Sequence, residues 1–135
     1  MSTIIVRTDA SRGDEAVGLG YHISGAYQDE GKHIMTGRFS SMDAEFYALV
    51  RGFWAATHYA ELVDECIVYS DAEPMVEKMR GNADVWGKWE ERKESVEWLM
   101  TKFDTADVRW CSRVQNQKAH ELAKQALYIA RDRKI

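Results

Sequence analysis

Alternating apolar and polar positions divide the chain into nine predicted elements. Five short apolar runs, most of them rich in β-branched residues, have the character of strands. They occupy residues 3–9, 17–24, 33–39, 65–70 and 108–114. Apolar residues at helical spacing fill the intervals at residues 40–62, 74–80, 85–103 and 116–131. The predicted order is therefore β-β-β-α-β-α-α-β-α.

The connections predict how the strands pair. A short polar segment, residues 25–32, separates the second and third strands, so strands one to three are expected to form an antiparallel meander. Polar residues 10–14 are expected to end the first strand. Helical crossovers make the last two strands parallel to each other and to an earlier strand. We therefore expect one α/β domain over residues 1–135, with a five-stranded mixed sheet flanked by helices.

Composition indicates a globular protein, and the first residues of the chain predict an intracellular one. Of 135 residues, 45% are hydrophobic and 30% charged, and no apolar run approaches the ~20 residues of a membrane span. The first residues lack the apolar stretch of a signal peptide, so we expect a cytoplasmic protein without membrane contact, and a monomer. Cys66 and Cys111 lie in apolar runs without CxxC spacing, which predicts buried free thiols.

Charge is distributed unevenly along the chain. The formal net charge is −4, which argues against a protein that grips nucleic acid by overall attraction. Residues 109–135 nevertheless carry a charge of +5, whereas the first 108 residues carry −9. A basic end beside an acidic body can position a phosphate backbone, although a solvated helix end explains the same charges.

Three acidic residues stand at places where chemistry is expected. Asp9 ends the first strand and Asp71 follows the fourth, so the two carboxylates lie side by side if these strands are neighbours. Such anions repel each other, and a divalent cation such as Mg²⁺ or Mn²⁺ would relieve the repulsion. Glu45, in the first turn of the long helix, is the natural third ligand if that helix packs across the sheet. Taken singly, the aspartates could begin turns and Glu45 could face the helix dipole.

Short motifs surround these acids in chain order. They are Thr8-Asp9-Ala10-Ser11, Gly18-Leu19-Gly20-Tyr21-His22-Ile23, Ala44-Glu45-Phe46-Tyr47-Ala48-Leu49, Tyr69-Ser70-Asp71 and the segment Arg113 to Ala126. The last segment holds Arg113, Asn116, Ala119, Leu122-Ala123 and Ala126 at the offsets of a family signature. Together, and over essentially the whole chain, these motifs resemble those of type 1 ribonuclease H.

The resemblance implies the ribonuclease H-like fold and a specific activity. A type 1 ribonuclease H is an endonuclease that hydrolyses the RNA strand of an RNA–DNA hybrid with two divalent ions, Mg²⁺ or Mn²⁺. On this resemblance Asp9 would bridge both ions and Asp71 would hold the ion that activates water. Glu45 would hold the ion at the leaving 3′ oxygen and contact a 2′-hydroxyl. The residues implied in substrate contact are Ser11, Ser40, Ser41, Met42, Arg113, Asn116 and Lys118.

One position departs from the family pattern. His120 stands where the family has its fourth carboxylate, and it is carried over as a metal ligand that assists the first ion or product release. Imidazole is a softer ligand that suits Mn²⁺ better than Mg²⁺. Glu121 cannot simply substitute, because it lies about 100° further round the helix. We expect His120 to point toward the end of the sheet, although a surface histidine without a role is the simpler interpretation.

The substitution keeps other functions open. A nucleic-acid-binding module that has lost catalysis, or a related nuclease that acts on DNA, would fit the same fold. A nucleotide-binding protein is disfavoured, because Gly18-x-Gly20 lacks a third glycine and no G-K-[ST] motif occurs.

The five tryptophans divide into two groups. Trp54 and Trp89 lie on apolar helical stripes and Trp110 lies in a strand, so we expect them in the core. Trp86 and Trp98 lie toward the polar face of a charged helix, which predicts exposed side chains and an interface with substrate or protein.

Overall fold

The apolar runs fold into five strands and four helices in the predicted order. The protein is described here by a computed structural model over residues 2–133. The strands are β1 (Thr3–Arg12), β2 (Ala16–Gly25), β3 (Asp29–Thr36), β4 (Glu65–Ser70) and β5 (Thr105–Trp110). The helices are α1 (Ser41–Ala56), α2 (Glu73–Arg80), α3 (Lys88–Met100) and α4 (Gln117–Asp132). Single 3₁₀ turns cover Thr57–Tyr59 and Val114–Asn116.

The strands form one mixed sheet in the order β3-β2-β1-β4-β5. The pairs β1–β2 and β2–β3 are antiparallel, whereas β1–β4 and β4–β5 are parallel. The predicted antiparallel meander is therefore confirmed. The first and fourth strands are neighbours, which is the condition under which Asp9 and Asp71 were expected to lie side by side. Among the described residues, no helix combines the length and apolarity needed to cross a membrane.

Several element ends differ from the predicted ones. β1 continues through the expected polar break to Arg12, because it stays paired with β2 as far as Val17. The edge strand β3 begins four residues before its predicted start, and the edge strand β5 begins three residues before its own. Backbone pairing with an inner strand defines both strands, and their polar side chains face solvent. The long helix ends at Ala56 in place of Leu62, and α3 is shorter than predicted at both ends.

The tryptophan predictions hold only in part. Trp86 and Trp98 are exposed, as predicted, and Trp89 packs against the core. The core predictions for Trp54 and Trp110 are wrong, because their exposed fractions are 51% and 49%. The buried face of α1 is occupied by the neighbouring Phe53, and one residue turns a helix by about 100°. Trp110 ends an edge strand, where nothing covers it fully. The predicted buried free thiols, Cys66 and Cys111, are confirmed.

The helices pack on opposite faces of the sheet. On one face, Gly52 of α1 lies against the side chains of Val6 and Thr8. On the other face, α4 lies directly on β2, where a Cβ added at Gly18 or Gly20 would collide with the carbonyl oxygen of Ala123 or Ala119. These two glycines therefore let a helix backbone rest on a strand backbone, which sets the height of α4 above the sheet.

An ion pair and aromatic contacts tie α3 to the start of α1. Nη1 of Arg92 lies 2.6 Å from Oδ1 of Asp43, and the guanidinium carbon lies 4.6–5.4 Å from the ring centroids of Phe46, Tyr47 and Trp89. These contacts surround the first turns of α1, which carry Glu45.

The close contact between α4 and β2 predicts a large effect of one added methyl group. Replacing Gly20 with Ala should lower the free energy of unfolding by about 3 kcal/mol, because the helix backbone must lift away from the strand. Urea denaturation measures this change. Ser24→Ala, in the same strand, should change stability by less than about 0.5 kcal/mol. A Gly20→Ala protein as stable as the unmodified one would contradict the packing described here.

Candidate active site

A gap in the sheet positions Asp9. The parallel pairing of β1 with β4 ends at Thr8 opposite Ser70, whereas β1 continues to Arg12. Beyond Thr8, therefore, β1 has no strand beside it on the β4 side within residues 2–133. We call this opening, between Asp9 on β1 and Asp71 just after β4, the notch. Side chains from both faces of the sheet can reach it.

Local hydrogen bonds hold the rim of the notch. Oγ1 of Thr8 donates to the carbonyl oxygen of Tyr69 at 3.1 Å and ties the two strands together where they part. The backbone N–H of Ala72 donates to Oγ of Ser70 at 3.1 Å, which shapes the turn that carries Asp71. Both hydroxyl residues are fully buried. Sequence analysis did not single them out, although hydroxyls directly before two strand-end acids were a usable signal.

The three predicted acids meet at the notch. One carboxylate oxygen each from Asp9, Glu45 and Asp71 lies within 4.8 Å of the other two. Asp9 is 4% exposed and Glu45 is 9% exposed. Glu45 arrives from α1, whose first turn is fixed by Ser40, because the Asp43 N–H donates to its Oγ at 3.1 Å.

These carboxylates repel one another in a poorly solvated place. Burial, and then the charge of Asp9, raises the pKa of Glu45 far above its usual range. Burial and the charge of Asp9 also raise the pKa of Asp71. The positive charge of Arg113, whose Nε lies 4.0 Å from Oδ2 of Asp71, lowers this pKa in part. Oε2 of Glu45 is buried and has no hydrogen-bond partner among the described residues. The site is therefore short of positive charge and of hydrogen-bond donors.

His120 completes the arrangement from the opposite face. Its Nδ1 lies 2.7 Å from Oδ2 of Asp9, and its side chain is 37% exposed. Asp9 pairs in register with Gly20, and Gly20 lies directly under Ala119, so the close packing of α4 brings His120 to the aspartate. The predicted orientation of His120 toward the end of the sheet is confirmed.

The residues implied in substrate contact occupy different surroundings. Arg113 is 84% exposed beside Asp71. Lys118 lies 3.6 Å from Glu30 of β3 and is half-exposed. Ser40 and Ser41 are exposed and Met42 half-buried at the start of α1, and Ser11 is half-buried near the end of β1.

Asn116 differs from this group, because it is fully buried. Its Nδ2 donates to the carbonyl oxygen of Thr8 at 2.8 Å, which joins the start of α4 to the strand position before Asp9. The structure thus gives Asn116 a contact that supports the site in place of the predicted contact with substrate.

The donor set suits a hard divalent cation. Three carboxylates supply oxygen ligands with more negative charge than the described protein groups neutralise, and a ring nitrogen lies beside Asp9. Mg²⁺ and Mn²⁺ prefer such oxygens, and Mn²⁺ also accepts imidazole. The unpartnered Oε2 of Glu45 is a buried acceptor that a cation would satisfy.

The fold is shared with known ribonucleases H. RNase H1 from Halobacterium salinarum NRC-1 matches with a TM-score of 0.81 at 23% identity, over 93% of this chain and 97% of that one. The N-terminal RNase H domain of rv2228c from Mycobacterium tuberculosis matches over 100% of both chains, with a TM-score of 0.84 at 24% identity. LC11-RNase H1, isolated from compost by a metagenomic approach, was solved in complex with an RNA/DNA hybrid. It matches with a TM-score of 0.77 at 24% identity, over 94% of this chain and 98% of that one. These similarities define the fold as that of ribonuclease H.

Family membership follows from the sequence. The model of the reverse transcriptase-like family matches residues 7–126, which include all four residues at the notch. Comparison with curated proteins gives no match. The chain belongs to the reverse transcriptase-like family, and its fold is that of the ribonucleases H named above.

The repulsion at the notch predicts that Asp9→Asn stabilises the metal-free protein. The folded-state pKa values of Glu45 and Asp71 are raised, that of Glu45 from 4.5 to about 10, so the native state binds more protons than the unfolded state. Stability therefore falls as pH rises between these two values. Removing the Asp9 charge reduces this loss. In EDTA at pH 8 the variant should be more stable by about 2 kcal/mol.

Urea denaturation at pH 5 and pH 8 measures this effect. The advantage of the variant should shrink at pH 5, because pH 5 lies close to the ordinary pKa of a glutamate and either protein has lost little stability there. A variant less stable than the unmodified protein at pH 8 would show that the carboxylates do not repel each other as described.

Proposed function

We propose that the protein is an endonuclease that hydrolyses the RNA strand of RNA–DNA hybrids with two divalent metal ions. The observation that carries this proposal is the meeting of Asp9, Glu45 and Asp71 within 4.8 Å at a break in the sheet. A purely structural domain gains nothing from three poorly solvated carboxylates without a matching positive charge. The ribonuclease H fold and the motif resemblance add the reaction class.

Asp9, Glu45 and Asp71 would hold the metal ions, with His120 as the fourth ligand. Asp9 is the central member, because its charge raises the pKa values of both other acids and Nδ1 of His120 lies 2.7 Å from it. When bound, the ions would activate an attacking water and neutralise charge on the leaving 3′ oxygen. The imidazole contributes a softer donor, so we expect activity with Mn²⁺ to exceed activity with Mg²⁺.

The chain's own residues would place the substrate. Arg113 is exposed 4.0 Å from Asp71, so its guanidinium can bind a backbone phosphate at the solvent side of the notch. Glu45 would contact a 2′-hydroxyl, the group that distinguishes RNA from DNA. Ser11, Ser40, Ser41, Met42 and Lys118 would contact the backbone further from the notch. We propose that the protein acts as a monomer in the cytoplasm.

His120 also supports a second candidate function. Without a fourth carboxylate, the same fold would serve as a catalytically weakened nucleic-acid-binding module or as a nuclease that acts on DNA. In that case the close contact between Nδ1 of His120 and Oδ2 of Asp9 would occupy a carboxylate oxygen that a metal ion needs.

Cleavage of a labelled RNA–DNA hybrid, beside duplex DNA and duplex RNA, tests the proposal. With Mg²⁺ or Mn²⁺ only the RNA strand of the hybrid should be cut. Asp9→Asn should lower the rate by at least about 10³-fold, while circular dichroism shows an unchanged fold. A variant with substantial activity would contradict the assignment. Cleavage of duplex DNA alone would favour the DNA nuclease, and binding of hybrid without cleavage would favour the binding module.

The ligand role of His120 predicts that the residue at this position sets the preference between Mg²⁺ and Mn²⁺. Replacing His120 with Asp supplies a charged, hard oxygen ligand, so the ratio of Mg²⁺ to Mn²⁺ activity should rise by about 10-fold. His120→Ala should reduce activity far less than Asp9→Asn. Glu121→Gln, at the next position and exposed, should leave the ratio unchanged. Equal ratios in the His120→Asp variant and the unmodified protein would refute the ligand role.

A further inference from the structure

A second surface feature lies between two helices and away from the notch. The second half of α1 and helix α3 border a hollow of about 630 Å³. A second hollow of about 630 Å³ adjoins it and is bordered mainly by residues 57–62, which follow α1. Trp54 of α1 and Trp98 of α3 line both hollows, so the two are continuous. We call this feature the helix groove, defined by Val50, Trp54, Glu91, Glu94 and Trp98 together with Leu62 at its far end.

The groove exposes large apolar side chains. Trp54 is 51% exposed, Trp98 is 53% exposed and Leu62 is 57% exposed. Tryptophan is the residue that contributes most area when it is covered, and neighbouring exposed apolar side chains mark surfaces that bind a partner. Single exposed apolar residues need no such explanation, but here they share one groove.

The first hollow of the helix groove is negatively charged. Glu91 and Glu94 line the first hollow, and no basic residue within 2–133 lines it with them. The basic residues of α3 are paired elsewhere, since Lys88 and Arg92 bind Asp43 and Lys93 binds Glu97. Among the described residues, neither Glu91 nor Glu94 has an ion-pair partner. These carboxylates repel a phosphate backbone and attract cationic side chains.

In the second hollow, a cation of the chain itself already contacts an aromatic ring. Nζ of Lys102 lies 4.0 Å from the centroid of the Trp98 ring, a cation–π contact on the groove surface. Glu61 lines the same hollow and adds another carboxylate. His58 and Lys102 line this second hollow too, so the acidic part of the groove is the first hollow, where Glu91 and Glu94 flank Trp54 and Trp98. This part is the complement of a segment that carries both apolar and basic side chains.

The groove and the notch can be used at the same time. Glu45 lies near the start of α1 and Trp54 nine residues later, which corresponds to about 14 Å along the helix. A partner in the groove therefore leaves the carboxylates accessible.

We propose that the helix groove docks a protein partner through a basic amphipathic helix. Apolar side chains of that helix cover Trp54 and Trp98, and its Lys and Arg residues face Glu91 and Glu94. A groove between two helices, with Val50, Trp54, Trp98 and Leu99 among its lining residues, is the kind of surface in which such helices bind, with anchors at i, i+3, i+4 and i+7. The inference is independent of nuclease activity.

The probe is a labelled helical peptide of about 16 residues with Leu and Phe on one face and Lys and Arg on the other. Its matched control carries Glu at every basic position. Fluorescence anisotropy should show binding of the basic peptide and at least about 10-fold weaker binding of the acidic one. The affinity should fall with added salt.

Variants locate the binding. Trp54→Ser and Trp98→Ser should each weaken binding at least about 10-fold, and the double variant Glu91→Gln/Glu94→Gln should reduce its salt dependence. Trp86→Ser is the control, because Trp86 is 76% exposed and does not line the groove. Hybrid binding and cleavage should be unchanged in all of them, which separates this proposal from the proposed function.

Each contrary result overturns the proposal. Equal binding of both peptides, no binding at millimolar peptide, or an equal loss in Trp86→Ser would remove the groove as a basic-helix site. Hybrid affinity lowered by Trp54→Ser and Trp98→Ser would assign the groove to nucleic acid. A dimer in sedimentation that these two variants dissociate would assign it to a second copy of the chain.

Discussion

Mutual repulsion among three carboxylates is the constraint on which the rest of the structure depends. Asp9, Glu45 and Asp71 come within 4.8 Å of one another where little water reaches them, and Oε2 of Glu45 has no partner among the described residues. Such an arrangement is unfavourable unless a cation joins it. The fold holds it in place because each acid is attached to a different element: a central strand, a helix across one face, and the turn after the next strand.

His120 changes the electrostatics of this cluster in a specific way. A carboxylate at this position would add a fourth negative charge, whereas a neutral imidazole adds none and a protonated one would pair with Asp9. The metal-free protein is thereby relieved of part of its repulsion, and a bound cation meets less total negative charge. The position itself is rigidly set, since Gly18 and Gly20 hold the α4 backbone against β2. The substitution therefore alters ligand chemistry without altering ligand placement.

Much of this could be predicted from sequence, and the rest could not for identifiable reasons. β4 was predicted to the residue because its apolar run is fully bounded by polar positions. β3 and β5 were displaced because edge strands are defined by backbone pairing, which leaves no mark on a polar sequence. The three acids were found because each follows or begins an apolar element. Trp54 and Asn116 were misjudged because periodicity does not show which side of a stripe is covered or which polar amide is buried.

The central claim is that the notch is a cation site built from Asp9, Glu45 and Asp71. Anomalous diffraction from crystals grown with Mn²⁺ tests it most directly, because the metal is located without reference to activity. The account predicts anomalous peaks within about 2.5 Å of carboxylate oxygens from all three residues. A fully ordered notch that shows no peak at saturating Mn²⁺, or a peak bound only by exposed surface acids, would contradict it.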